Sequence, residues 1–106
     1  MKKMTEEVKE KFGLSEEYIS SIKNILFRHP NIERVIIFGS RAKGNFRPGS
    51  DIDLALVGKD LSASDIIDLN IELDKIWCGY KVDLLIYDKI TEQALKEHIN
   101  RVGKEF

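Results

Sequence analysis

Only one cysteine, Cys78, occurs in the chain, so no internal disulfide can staple it. Cys78 stands beside Trp77 at the end of a helical pattern, where a small packed thiol is the expected role. Histidine is nearly as scarce. His29 precedes Pro30, His98 falls in the last apolar-periodic segment, and neither has a cysteine or second histidine at ligand spacing, which argues against a zinc site. Both are expected to be structural or surface residues. Positive charge is not in excess: the formal net charge is -1, so nothing draws the whole molecule to nucleic acid or an anionic membrane. Direct nucleic-acid binding is not expected, and any anion site must be local. No apolar run approaches the roughly 20 residues that cross a bilayer, and none follows Met1, Lys2 and Lys3 as a secretory signal would. A cytoplasmic location is the expectation. Also missing are a Gly-x-Gly-x-x-Gly after a strand and a Gly-x4-Gly-Lys-Ser/Thr loop, which sets aside the Rossmann and P-loop readings. There is no internal repeat and no low-complexity segment.

What remains is an ordinary globular composition. With 106 residues, 42% hydrophobic and 33% charged, the chain is long enough for one hydrophobic core and too short for two. A single domain over residues 1–106 is expected. Met4, Val8 and Phe12 recur at intervals of four and predict a short helical extension over residues 1–14, broken at Gly13. Ser15 followed by Glu16 and Glu17 has the form of a helix N-cap with acidic residues in the first turn. Tyr18, Ile19, Ile22, Ile25 and Leu26 give that helix one apolar side, and His29 before Pro30 stops it.

Three strands follow from β-branched and aromatic runs: Arg34 to Phe38, Ile52 to Val57 and Val82 to Tyr87. Between the first two lies a loop from Ser40 to Ser50 with a short helical turn at its start and the cations Arg41, Lys43 and Arg47. Between the second and third, Ser62 or Ser64 caps a helix whose apolar side carries Ile66, Leu69, Ile71, Leu73, Ile76 and Trp77, closed by Gly79. Its acidic residues, Asp65 among them, are expected to face solvent. Thr91 and Glu92 open a last helix bearing Leu95, Ile99 and Val102, which Gly103 ends, leaving Lys104 to Phe106 extended or frayed.

The chemistry lies in the aspartates. Asp51 and Asp53 are separated by one residue at the start of a strand, so their carboxylates project to the same side, while Ile52, Leu54 and Leu56 project to the other. Asp83 is the second residue of its own strand, and the helical crossover from Leu61 to Gly79 is what a parallel pairing requires. Three carboxylates would then meet at one end of the sheet. Such a group is costly without a counter-ion, and two Mg²⁺ ions, which prefer oxygen ligands, would offset the repulsion and support in-line displacement at phosphorus. Gly39 ends the first strand, and ten residues separate the Gly39–Ser40 pair from Asp51. Gly39 allows the backbone to approach phosphate, the Ser40 hydroxyl and the following amides can donate to it, and Arg41, Lys43 and Arg47 are the nearest cations to balance a pyrophosphate.

Gly39 to Gly44 (Gly-Ser-Arg-Ala-Lys-Gly) with Ser50-Asp51-Ile52-Asp53-Leu54 resembles the signature of the DNA polymerase β nucleotidyltransferase superfamily, in particular its small prokaryotic branch of minimal nucleotidyltransferases. The likeness runs from about Tyr18 to Val102. It implies that Asp51 and Asp53 bind both metal ions, that Asp83 completes one site, and that Gly39 and Ser40 hold phosphate. It implies a polymerase β palm-like α/β fold with a small mixed sheet, the first two strands antiparallel, the second and third parallel, and helices packed mainly on the face opposite the carboxylates. The implied activity is transfer of a nucleoside monophosphate, AMP from ATP above all, to an acceptor hydroxyl with release of pyrophosphate. Relatives in this branch are often antitoxins to HEPN ribonucleases, some silencing the toxin by AMPylating a tyrosine. A HEPN-type partner is therefore implied, acting as substrate or, in the alternative, as a toxin occluded without chemistry. A small-molecule adenylyltransferase, with a homo-oligomer supplying the acceptor site, is a third reading.

Overall fold

The computed structural model describes residues 10–76 and 79–106. A four-stranded sheet has the order β5-β4-β3-β6. Its strands are β3 (Ile32–Phe38), β4 (Ile52–Gly58), β5 (Val82–Ile86) and β6 (Lys104–Glu105). β3 runs antiparallel to β4 and to β6, whereas β4 and β5 are parallel, as the crossover length predicts. The long helices are α1 (Glu16–Leu26), α3 (Ala63–Asp74) and α4 (Gln93–Val102), with a single turn, α2 (Ser40–Lys43), after β3. The architecture is a mixed α/β domain. Among the described residues no helix is long and apolar enough to cross a membrane.

Strand alternation sorts the side chains onto two faces. Val35 and Ile37 of β3, Ile52, Leu54 and Leu56 of β4 and Leu84 of β5 meet α1 and α3 in the main core. Here α1 contributes Ile19, Ile22, Ile25 and Leu26, and α3 contributes Leu69 and Leu73. On the opposite face Phe38 and Ala55 pack with Ile99, flanked by Leu95 and Val102 of α4. Helices therefore cover both faces. Two of the three long ones lie where the sequence predicts, and α4 lies on the side that carries the carboxylates, because its Leu95, Ile99 and Val102 stripe needs a sheet surface to cover.

Local chemistry sets the helix starts. Ser15 accepts a hydrogen bond from the Tyr18 amide at 3.1 Å, and Ser62 forms a reciprocal capping box with Asp65. α3 ends at Asp74, earlier than Gly79, and Ile67 and Ile71 are exposed, so its buried stripe is narrower than its apolar composition suggests. Trp77 and Cys78 lie outside the described residues.

The N-terminal helical expectation is corrected over residues 10–14. There β1 (Glu10–Lys11) pairs antiparallel with β2 (Leu14–Ser15) through a two-residue turn in which Phe12 and Gly13 both have positive φ, 60° and 74°. That geometry fits a tight hairpin, which a helical period cannot accommodate. Residues 1–9 of the expected helix lie outside the described residues. Lys104 to Phe106 also gain order. β6 pairs with β3, the Phe106 amide donates to the Val35 carbonyl at 2.9 Å, and the Phe106 ring is buried in the main core beside Phe12.

Asp65 does more than face solvent. His29 Nε2 donates to its Oδ1 at 3.0 Å, while His29 Nδ1 accepts the Asn31 amide at 3.1 Å, so one neutral tautomer satisfies both bonds and ties the end of α1 to the start of α3. These bonds, the His29 one first and then those from Ser62, hold the Asp65 carboxyl below its ordinary value. A depressed carboxylate contributes stability that is present above its unfolded value, near pH 4, and lost as pH falls through its folded value. Asp65→Ala is therefore expected to lower the urea midpoint at pH 7, with the gap from the parent closing as unfolding is repeated towards pH 3.

Candidate active site

Asp53 and Asp83 are direct neighbours on the parallel strands β4 and β5. Strands in a sheet lie about 4.8 Å apart, so the two carboxylates leave the same face side by side. Asp51 stands one residue before β4, exposed, where the Ile52 amide donates to the Lys81 carbonyl at 2.8 Å and locks the entry of one strand to that of the other. Burial first, then the negative charges of Asp83 and Asp51, push the Asp53 carboxyl above its ordinary value, and His98 opposes that rise. The three aspartates thus share one electrostatic field. Lys81 reaches Asp83 at 3.8 Å, but both side chains are well exposed and such a pair contributes little.

Across β4, Phe38 is the register partner of Asp53, and Gly39 follows it. Gly39 has φ 76° and ψ −156°, a conformation closed to other residues, and a Cβ there would stand 2.5 Å from Asp53 Oδ2. The backbone turn and the carboxylate are therefore packed against each other. Ser40 opens α2, whose turn is closed by the Lys43 amide on the Gly39 carbonyl and the Gly44 amide on the Ser40 carbonyl. A cavity of about 410 Å³ lies at this end of the sheet, with Phe38, Asp53, Asn70, Asp83 and Leu85 in its walls.

The three expected cations part ways. Lys43 and Arg47 are exposed on the loop. Arg41 is only 3% exposed, and its guanidinium is already occupied: Nε and Nη2 donate to the Ser50 carbonyl at 3.1 and 2.9 Å, and Nη1 to the Phe12 carbonyl at 2.9 Å. The rings of Phe46 and Tyr80 each lie 5.0 Å from it. A cation so buried and so fully engaged braces the loop and the hairpin instead of the phosphate cradle expected of it.

Such an acidic group suits a hard divalent cation. Burial first, and then the neighbouring charges of Asp83 and Asp51, disfavour the charged Asp53 carboxyl, and positive charge with a preference for oxygen ligands offsets that cost. Among the described residues, no three His, Cys, Asp or Glu side chains close into a finished cage around one ion. Mg²⁺ would be held chiefly by Asp53 and Asp83, with Asp51 at the open rim.

The profile of the family described as polymerase beta, nucleotidyltransferase, matches residues 20–106. This chain belongs to that family. A candidate protein adenylyltransferase of Methanocaldococcus jannaschii is 37% identical to this nucleotidyltransferase over 76 residues, which make up 71% of this chain and 78% of the relative. Among solved structures, a toxin-antitoxin crystallised with AMP-PNP superposes with a TM-score of 0.69 at 25% identity, covering 81% of this chain and 69% of the other. A complex of a tri-AMPylated Shewanella oneidensis HEPN toxin with its MNT antitoxin gives 0.66 at 22% identity, covering 85% and 69%, a likeness of fold alone.

His98 packs beside Phe38, the register neighbour of Asp53, with no pattern in the sequence to place it there. Its ring stands edge-on to Phe38 at 6.3 Å with an interplanar angle of 82°, and the only sequence signal was its place four residues before the end of the α4 stripe.

Two outcomes follow from the geometry. Because the Asp53 carboxyl is raised, its charged form weakens the fold above the folded value and that penalty is relieved as pH falls towards 3.8. The isosteric Asp53→Asn is expected to raise Tm at pH 7.5 in metal-free buffer, with the gain shrinking at pH 4, by differential scanning calorimetry. Arg41→Ala should destabilise by roughly 1–3 kcal/mol in urea unfolding, since it strands two half-buried carbonyls, and Arg41→Lys should restore little of the loss.

Proposed function

We propose that the chain transfers AMP from ATP to an acceptor hydroxyl in the cytoplasm, with Asp51, Asp53 and Asp83 as its catalytic and metal-holding residues. The observation that carries this reading is the alignment of Asp53 with Asp83 across β4 and β5, with the Gly39 turn packed on the Asp53 carboxylate. Metal ions bound there would supply charge neutralisation at the transferring phosphoryl group and lower the cost of deprotonating the acceptor.

The chain's own residues do the rest. Gly39 lets the triphosphate approach the backbone, Ser40 donates its hydroxyl to a phosphate oxygen, and Lys43 and Arg47 balance the departing charge. Asp53, between the turn and Asp83, lies where the α-phosphate must sit if the triphosphate tail rests on Gly39 and Ser40. Asp83, on the outer strand, orients the attacking hydroxyl. The acceptor oxygen forms a bond to the α-phosphorus, the bridge to the β-phosphate breaks, pyrophosphate leaves, and the hydroxyl proton passes to solvent.

The acceptor we favour is a hydroxyl on a HEPN-type protein partner. Support comes from the adenylyltransferase name of the Methanocaldococcus jannaschii relative and from the toxin-antitoxin setting of the structural neighbours. An apolar groove of about 640 Å³ also runs beside β5, an edge strand, between Ile66 and Ile67 of α3 and Ile90 and Leu95 near α4. It favours a second reading, in which the same partner is neutralised by occlusion alone.

Incubation with Mg²⁺, α-labelled ATP and a HEPN protein from an adjacent reading frame separates the two. The transferase reading expects covalent label on the partner, with Asp53→Asn and Asp83→Asn each reducing it at least ~10²-fold, the scale seen when one preorganised electrostatic group is removed. Neutralisation of the partner by Asp53→Asn as well as by the parent, with no label transferred, would establish occlusion instead.

A further inference from the structure

Asp53, Asp83 and the glycine turn form the floor of the site, and α4 stands over its β3 flank. Phe38, Asp53 and Asp83 occupy three adjacent strands in that order, since β3, β4 and β5 are neighbours and Asp53 is in register with both of the others. His98 projects from α4 onto the Phe38 end of that row, its ring edge-on to the Phe38 ring. It thus lies on the side of Asp53 away from Asp83, next to the strand end from which Gly39 and Ser40 continue. Three further facts bear on its role. Its neighbour Ile99 is 1% exposed and anchors α4 to Phe38 and Ala55, so the backbone that carries the ring is fixed. The ring is half-buried, yet among the described residues neither of its nitrogens meets a protein hydrogen-bond partner. Last, His98 is among the groups that act on the Asp53 carboxyl, in the lowering direction, in keeping with its place at the Phe38 end of the row.

We infer that His98 is a nucleotide-positioning residue, whose ring N–H donates to the triphosphate on the Gly39–Ser40 side of Asp53. The inference rests on the nucleotidyltransferase reading of the same site. A packed imidazole with unclaimed nitrogens beside a phosphate-facing turn is a pre-oriented donor that loses little entropy on binding. The packing on Phe38 aims the ring and the second nitrogen remains open to water or to another phosphate oxygen. On the β3 flank it serves the leaving end of the nucleotide, opposite the Asp83 side where the acceptor enters.

Packing and donation can be separated, because phenylalanine keeps a ring against Phe38 without a donor and glutamine keeps a donor without a ring. The full chain and its His98→Phe and His98→Gln variants would be titrated calorimetrically with Mg²⁺ and α,β-methylene ATP, with Tm recorded for each. We expect His98→Phe to match the parent in Tm and to bind roughly tenfold more weakly, the scale of one charge-assisted hydrogen bond, with His98→Gln recovering part of the loss. Equal affinity of parent and His98→Phe would overturn the role of His98 while leaving the transferase reading intact. So would a loss in both variants that tracks a fall in Tm, which would mark His98 as a packing residue. No binding by the parent would overturn the reading of the site itself and the inference with it.

Discussion

Two negative charges held side by side on neighbouring parallel strands are the constraint around which this molecule is arranged. Asp53 and Asp83 are register partners, and the Ile52 amide bonded to the Lys81 carbonyl pins the start of both strands so that the pair cannot slip apart. A one-residue slip would send one carboxylate to the opposite face and bury it among Leu54, Leu56 and Leu84. The main core under α1 and α3 therefore fixes the register, and the register fixes the charge. Stability is given up at one point, the raised Asp53, and recovered from a core whose central strand buries Ile52, Leu54 and Leu56 completely.

Everything near the carboxylates follows from that placement. Gly39 is needed where it is because any side chain would collide with Asp53, so the strand that ends beside the acidic group must turn on a glycine. The loop that follows needs a brace, and Arg41 supplies it by joining the Ser50 and Phe12 carbonyls between two aromatic rings. The N-terminal hairpin is thereby coupled to the segment that leads into Asp51. α4 closes the other side, carrying His98 to Phe38.

Features set by local rules were legible in the sequence. The period of two along β4 separated Asp51 and Asp53 from the Ile52, Leu54 and Leu56 face, capping serines marked two helix starts, and the crossover length implied parallel strands. Features set by distant partners were not. Arg41 looks like a phosphate cation until the carbonyls of Ser50 and Phe12 close on it from elsewhere in the chain. Phe12 in a positive-φ turn defeats the four-residue apolar spacing, and β6 is too short to announce itself without β3 beside it. His98 has no local signature, because its meaning depends on Phe38 across the sheet. Asp65 reads in the sequence as a solvent-facing helix residue, whereas its capping-box bond to Ser62 and its bond to His29 depend on the local turn and on the packing of α1 on α3.

The central claim, that carboxylates from two strands act as one cation site, is tested most directly by Mn²⁺ binding followed by electron paramagnetic resonance in the presence of a non-transferable ATP analogue. Loss of free-ion signal on addition of the parent chain, weakened to a similar extent by Asp53→Asn and by Asp83→Asn, is the predicted result. Retention of parent-like binding by Asp83→Asn would contradict it.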